Sequence, residues 1–209
     1  MIDLYTWSTP NGRKVSIALE ELGLAYNVHP IDIGKDQQFT PEFLGISPNN
    51  KIPAIVDREN GIALMESGAI LTYLADKTGR LLPSSGEPRY RVLEWLTWQV
   101  GGLGATLGQL HFYWKFNKGK APLAEERLMK EAHRLYAVLD KRLDGREFIV
   151  DDYSIADIAA WPWISRFEWH SVDLREYPNV MRWYLSIAAR PATQKGYAIP
   201  QDVGSIPLP

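Results

Sequence analysis

Cysteine is absent from all 209 residues. That excludes structural disulfides, zinc-thiolate centres, iron-sulfur clusters and any cysteine nucleophile supplied by the chain. An excess of one charge is missing too. The 23 basic residues face 25 acidic ones, a formal net charge of -2, which gives no electrostatic case for nucleic acid or an anionic membrane surface. No window approaches the ~20 uninterrupted apolar residues of a membrane-spanning helix, and "MIDLYTW" lacks a charged segment followed by a long apolar stretch. The four histidines, at 29, 111, 133 and 170, show no ligand spacing, so no metal is expected. These absences lead us to expect a soluble cytoplasmic protein whose partner is a small molecule or another protein.

What is present suffices for a substantial core, since 45% of the residues are hydrophobic, enough for one large domain or two small ones. Eight tryptophans and ten tyrosines are read as core and interface packing. Residues 1–80 alternate short strand and helix patterns. Ile2, Leu4 and Thr6 alternate in a first strand, and Val15, Ala18, Leu19 and Leu22 recur at helical spacing until Gly23 stops the helix. "AYNVHPIDI", residues 25–33, reads as a second strand that Pro30 pushes toward a sheet edge. "KIPAIVD" and "IALME" flank "RENG", residues 58–61, as a hairpin, and "SGAILTYLADKTG" is a helix closed by Gly79.

A linker is expected over 81–90, rich in proline, serine and glycine, followed by an all-helical region over 91–200 and an irregular tail over 201–209. "GLGATLG", residues 102–108, misses the spacing of a dinucleotide fingerprint and lacks the Lys-Ser/Thr of a phosphate loop. Its small residues are read instead as a place where helices approach closely. In "YSIADIAAW", residues 153–161, Ser154 and Asp157 stand in capping-box relation before an apolar run, which is a folding device. Pro162 falls inside the same helix, where a kink is expected.

Three stretches carry candidate chemistry. "STPNG", residues 8–12, has the composition of a strand-to-helix corner. "NNKIPAIVD", residues 49–57, enters a strand through Ile52-Pro53; a trans bond is the ordinary state there, whereas a cis bond would turn the Ile52 backbone toward an extended, peptide-like ligand. "MESGAI", residues 65–70, puts Glu66 and Ser67 at a helix start, where free N–H groups and the Ser67 hydroxyl suit a carboxylate and Glu66 suits an ammonium; Ser67 as a plain helix cap is the alternative.

Taken in order, "NKIPAIVD", "ESGAILTYLADK" and "YSIADIAAWPW" resemble the cytosolic glutathione transferase superfamily over essentially the whole chain, and "TPNGRK", "QFTPEFLGISPNNKIPAIVD" and "WQVGGLG" resemble its bacterial Nu-class, YfcG- and Ure2-like branch. The resemblance implies an α/β plus all-α architecture: a thioredoxin-like N-terminal domain, an all-helical C-terminal domain, a homodimer and a cis bond at Ile52-Pro53. It makes glutathione, reduced or oxidised, the cosubstrate. It further implies that Ile52, with Pro53, meets the cysteinyl unit and that Glu66 and Ser67 hold the γ-glutamyl end. Gln38 and Lys51 would neighbour the other polar groups, Asn49 and Asn50 more weakly, while Arg127 would reach glutathione in the partner subunit.

Where relatives of this superfamily carry a tyrosine, serine or cysteine, the resemblance puts Thr9 and Asn11, with Ser8 as an off-by-one alternative. A thiol of pKa ~8.5 needs about 1.36 kcal/mol of selective stabilisation for each unit of depression. The Thr9 hydroxyl, Asn11 and the helix beginning after Gly12 can each contribute about 1 kcal/mol. Without a protein cysteine, disulfide exchange has to run between glutathione thiols and an external disulfide. The first expectation is therefore a glutathione-dependent disulfide-bond oxidoreductase. Conjugation of glutathione to small electrophiles, with Phe112, Tyr113 and Trp114 lining the acceptor pocket, is the alternative, and a non-catalytic glutathione-binding regulatory module the third.

Overall fold

The computed structural model describes residues 1–209, which divide into two compact units. The first is built on residues 1–84. Strands β1 (Ile2–Thr6), β2 (Tyr26–Pro30), β3 (Ala54–Asp57) and β4 (Ile62–Met65) form one sheet in the order β2-β1-β3-β4. β2 runs parallel to β1, β3 antiparallel to β1, and β4 antiparallel to β3, with Leu4 opposite both Val28 and Ile55. Leu4 and Ile55, on the two central strands, are fully buried. Pro30 ends β2, an edge strand where a missing N–H costs no ladder bond.

Helix α1 (Pro10–Leu22) follows β1, and Gly23 ends it in the left-handed conformation at φ 66°. Two 3-10 turns (Ile33–Lys35 and Gln37–Phe39) and the single turn α2 (Pro41–Leu44) precede β3. The β3–β4 connection over 58–61 is a tight hairpin with Gly61 at φ 73°, and α3 (Ser67–Thr78) ends at Gly79, φ 66°. This is the thioredoxin-like arrangement of a small mixed sheet with helices packed on it.

The second unit, residues 85–188 with 207–209, is helical: α4 (Gly86–Trp98), α5 (Ala105–Leu110), α6 (Pro122–Arg142), α7 (Ile155–Ile164) and α8 (Pro178–Ala188). The stretch expected as linker is thus already helical from Gly86. Pro88 is compatible because the first turn of a helix leaves its N–H groups unpaired anyway. Wider π-type turns occupy Gln99–Gly104 and His111–Phe116. The small residues at 102–108 serve close packing: a Cβ on Gly104 would lie 3.1 Å from Trp163 Nε1, and one on Gly108 3.3 Å from the same ring. The capping box forms at the start of α7, where the Asp157 carboxylate accepts from Ile149 N, Ser154 N, Ser154 Oγ and Trp183 Nε1. The helix continues through Pro162 to Ile164.

Two histidines that look unrelated in sequence meet in this core. His111 Nε2 and His170 Nε2 lie 2.8 Å apart, and Tyr136 Oη is 2.8 Å from His170 Nδ1. Burial keeps both imidazoles neutral, pushing His111 down to about 4 and His170 well below its ordinary value.

The last helix, α9 (Pro191–Tyr197), belongs to the first unit, although the helical region was expected to run on to residue 200. Gly196 is pressed against α1 so closely that a Cβ there would fall 2.7 Å from the Ile17 backbone. The Arg13 guanidinium lies over the Tyr197 ring, Ser16 Oγ donates to Gly196 O, and Arg190 pairs with Glu21. Residues 201–209 form no regular element, and Tyr184 Oη donates to Pro207 O across 2.7 Å.

Candidate active site

The corner between β1 and α1 is set by its own residues. Thr9 is the N-cap, in extended conformation, and its Oγ1 accepts from Gly12 N at 3.2 Å. Pro10 takes the first helical position, so α1 starts three residues before the point expected and Asn11 and Gly12 lie inside its first turn. Gly12 is required by space: a Cβ would sit 2.2 Å from Trp7 O and 2.5 Å from Thr6 Oγ1. The Thr9 hydroxyl spends a lone pair on the cap and keeps its hydrogen for an acceptor outside the helix.

Beside this corner lies a cavity of about 150 Å³ lined by Asn11, Ser47, Asn49, Lys51, Ile52, Pro53, Met65, Glu66 and Ser67. The Ile52-Pro53 bond is cis, as is Ile199-Pro200, for which the sequence offered no sign. Ser47, fully buried, donates to Lys51 O at 2.8 Å and so ties down the loop that presents Asn49 and Lys51. Asn50 turns at φ 49°.

The third wall is the β4–α3 junction. Glu66, not Ser67, holds the N-cap position, and it does so at φ 69° and ψ 113° without a side-chain cap bond. Ser67 is the first helical residue, so its hydroxyl is not the plain cap considered above. Its oxygen instead accepts from Lys14 Nζ at 3.2 Å. Lys14 is 2% exposed, and burial pushes its ammonium down to about 7, against the opposing pull of the Glu66 carboxylate.

Seven of the sequence candidates, Asn11, Asn49, Lys51, Ile52, Pro53, Glu66 and Ser67, therefore line one cavity, with Thr9 on the adjoining turn. Gln38 and Asn50 are not among its lining residues. Gln38 lies on the second 3-10 turn with its amide on Asp36, and Asn49 stands in the wall in place of Asn50. Arg127 is on α6 in the other unit, in a separate cavity of about 700 Å³ shared with Glu126, Lys130, Glu131 and Arg134. Sequence reasoning missed Ser47, Met65 and Lys14. The turn-forming "SPNN" run pointed toward Ser47, but Lys14, beside Arg13 on a helix, gave no signal at all.

The chain matches the model of the glutathione S-transferase N-terminal domain over residues 9–77 and that of the C-terminal domain over 103–191. The chain belongs to the glutathione S-transferase family. Among curated relatives of this transferase, the disulfide-bond oxidoreductase YfcG of Escherichia coli is 50% identical, over 92% of this chain and 93% of its own length. A Pseudomonas putida glutathione transferase, solved with one glutathione disulfide per subunit, superposes with a TM-score of 0.90 at 43% identity, covering 95% of this chain and 91% of its own. One from Burkholderia graminis, solved with two glutathione molecules per subunit, gives 0.89 at 45% identity over 95% and 88%. No helix of the transferase is long and apolar enough to cross a membrane.

Proposed function

We propose that this glutathione S-transferase is a glutathione-dependent disulfide-bond oxidoreductase that uses bound glutathione thiols where other oxidoreductases use protein cysteines. One observation carries the reading: a chain with no cysteine superposes closely on relatives that were solved with two glutathiones, or one glutathione disulfide, in each subunit. Ile52 supplies backbone groups to the cysteinyl unit, Glu66 and Ser67 take the γ-glutamyl head group, and Lys51 and Asn49 flank the tripeptide. Thr9 Oγ1–H and the Asn11 side chain face the sulfur.

The reaction balances without a protein thiol. A bound glutathione thiolate attacks one sulfur of the substrate disulfide, forming a mixed disulfide and releasing the first product thiolate. A second glutathione thiolate attacks the glutathionyl sulfur of that mixed disulfide, releasing the second product and leaving glutathione disulfide; each leaving thiolate takes up a proton. Donation from Thr9 and Asn11, at about 1 kcal/mol each, raises the thiolate fraction roughly tenfold or more. Holding both sulfurs in one site supplies the orientation. In this reading the enzyme works as a homodimer, and Arg127 reaches the glutathione of the partner.

The test is turnover of 2-hydroxyethyl disulfide with glutathione, coupled to glutathione reductase. Turnover well above the buffer rate is expected. None above it, alongside robust conjugation of a chlorodinitrobenzene-type electrophile, would overturn the proposal.

A further inference from the structure

The one sulfur in the wall of the candidate cavity belongs to Met65. The chain has four methionines and no cysteine, and of the four Met65 alone lines that cavity. It is the last residue of β4, paired with Ala54 directly after the cis Ile52-Pro53 bond, and it is half-buried. Leucine would fill such a gap nearly as well, so packing alone does not select a thioether there.

What sets Met65 apart is its neighbour. Ser47 is fully buried, and its hydroxyl has a single hydrogen, which it donates to Lys51 O at 2.8 Å. Met65 Sδ stands 4.0 Å from the same Oγ. A thioether is a weak acceptor and leaves that hydrogen where it is, whereas a sulfoxide is polar and accepts strongly. One S–O bond directed at Ser47 closes the gap to hydrogen-bond distance, and the hydroxyl then has two competing acceptors. The loop at stake is short. Besides the Ser47 tie it is closed by Asn50 N donating to Ser47 O at 2.9 Å, with Asn50 at φ 49°. It brings Asn49, Lys51 and Ile52 to the cavity.

We propose that Met65 is a reversible oxidation site that regulates the cavity: its sulfoxide draws the Ser47 hydroxyl off Lys51 O and releases the loop over 47–52. The regulatory consequence rests on the glutathione reading above. The oxidant is hydrogen peroxide, scarcely bulkier than a water, which takes up about 30 Å³ in the liquid, against a cavity of about 150 Å³. The thioether is oxidised and the peroxide reduced: one peroxide oxygen bonds to Sδ, the O–O bond breaks, and the other oxygen leaves as water. In the return step a dithiol-dependent methionine sulfoxide reductase removes the oxygen as water and is left with a disulfide. The first step needs no thiolate. A chain without cysteine thus keeps a sensor for the oxidising conditions under which disulfides accumulate.

The experiment is peroxide treatment of the full-length protein, removal of the oxidant with catalase, and peptide mapping by mass spectrometry, followed by hydrogen exchange and glutathione-dependent turnover of 2-hydroxyethyl disulfide. Met65 is expected to gain one oxygen. The amides of residues 49–52 should exchange about five- to tenfold faster while those of α1 and β1 are unchanged, and KM for glutathione should rise about tenfold. Methionine sulfoxide reductases should reverse all three effects. After peroxide, Met65→Leu should keep the loop exchange and turnover of its own untreated form. Ser47→Ala should exchange fast at the loop before treatment and no faster after it. Met65 staying reduced while the exposed Met1 is oxidised overturns the proposal. So does a Met65 sulfoxide whose loop exchanges at the untreated rate, or acceleration spread evenly through residues 1–84, which would be unfolding. Loop release with KM unchanged overturns the regulation. If the untreated protein turns over no disulfide, the glutathione reading falls, and loop exchange still decides whether Met65 releases the loop.

Discussion

In the proposed reaction Thr9 carries two duties through one hydroxyl: its oxygen caps α1 by accepting from Gly12 N, and its hydrogen is left for the glutathione sulfur. The duties separate on substitution. Thr9→Ala should cost about 1 kcal/mol of stability from the lost cap, read as a modest fall in the denaturant midpoint. It should also raise the bound thiol's pKa by about one unit and cut disulfide turnover roughly tenfold. Thr9→Ser should restore both, because serine keeps the hydroxyl. Turnover unchanged in Thr9→Ala would remove Thr9 from the reaction. Asp57 offers a second residue-scale test. Burial pushes its carboxyl up, but donation from Tyr73, Lys77 and Glu59 N outweighs that and brings it to about 2. A depressed carboxyl contributes stability that is complete above pH ~4 and lost as the pH falls toward 2, here on the order of 2 kcal/mol. Denaturant midpoints measured from pH 5 to pH 2 should fall, and Asp57→Asn should flatten that slope.

At the scale of elements, helix boundaries were legible wherever a local chemical rule decided them. Gly23 and Gly79 end helices in the left-handed conformation, "RENG" turns the hairpin, and Ser154 with Asp157 forms the box. What local rules could not reach were contacts made by tertiary packing. Ser67 looks like a cap in sequence, yet its oxygen is taken by a lysine 53 residues away. His111 and His170 look scattered, yet share a buried hydrogen bond 59 residues apart. The lining of the candidate cavity was legible in its loops and strand ends, and the lysine that meets Ser67 was not. Two element-scale outcomes follow. Gly12→Ala should cost about 2 kcal/mol or more, because the backbone oxygen of Trp7 stands where the Cβ would go, and turnover should fall with it as the Thr9–Asn11 turn shifts. Asp157→Ala should cost about 3–5 kcal/mol in chemical denaturation, well beyond Ser154→Ala, since four donors lose one buried acceptor.

Over the whole molecule, the absence of cysteine becomes an experimental handle. Treatment with N-ethylmaleimide, followed by removal of the reagent, should leave disulfide turnover intact and produce no thiol adduct by mass spectrometry; loss of activity would mean that catalysis depends on another nucleophile. The packing of α9 on α1 has a different kind of consequence, one of timing. The face of α1 around Ile17 is covered by residues 189–206, which leave the ribosome only after helices α4 to α8 have been made. The thioredoxin-like unit, begun before those helices, is thus completed only after them. Residues 1–84 alone would expose the apolar seam of their first helix, while a fragment carrying 189–206 on a short tether should resist proteolysis markedly better.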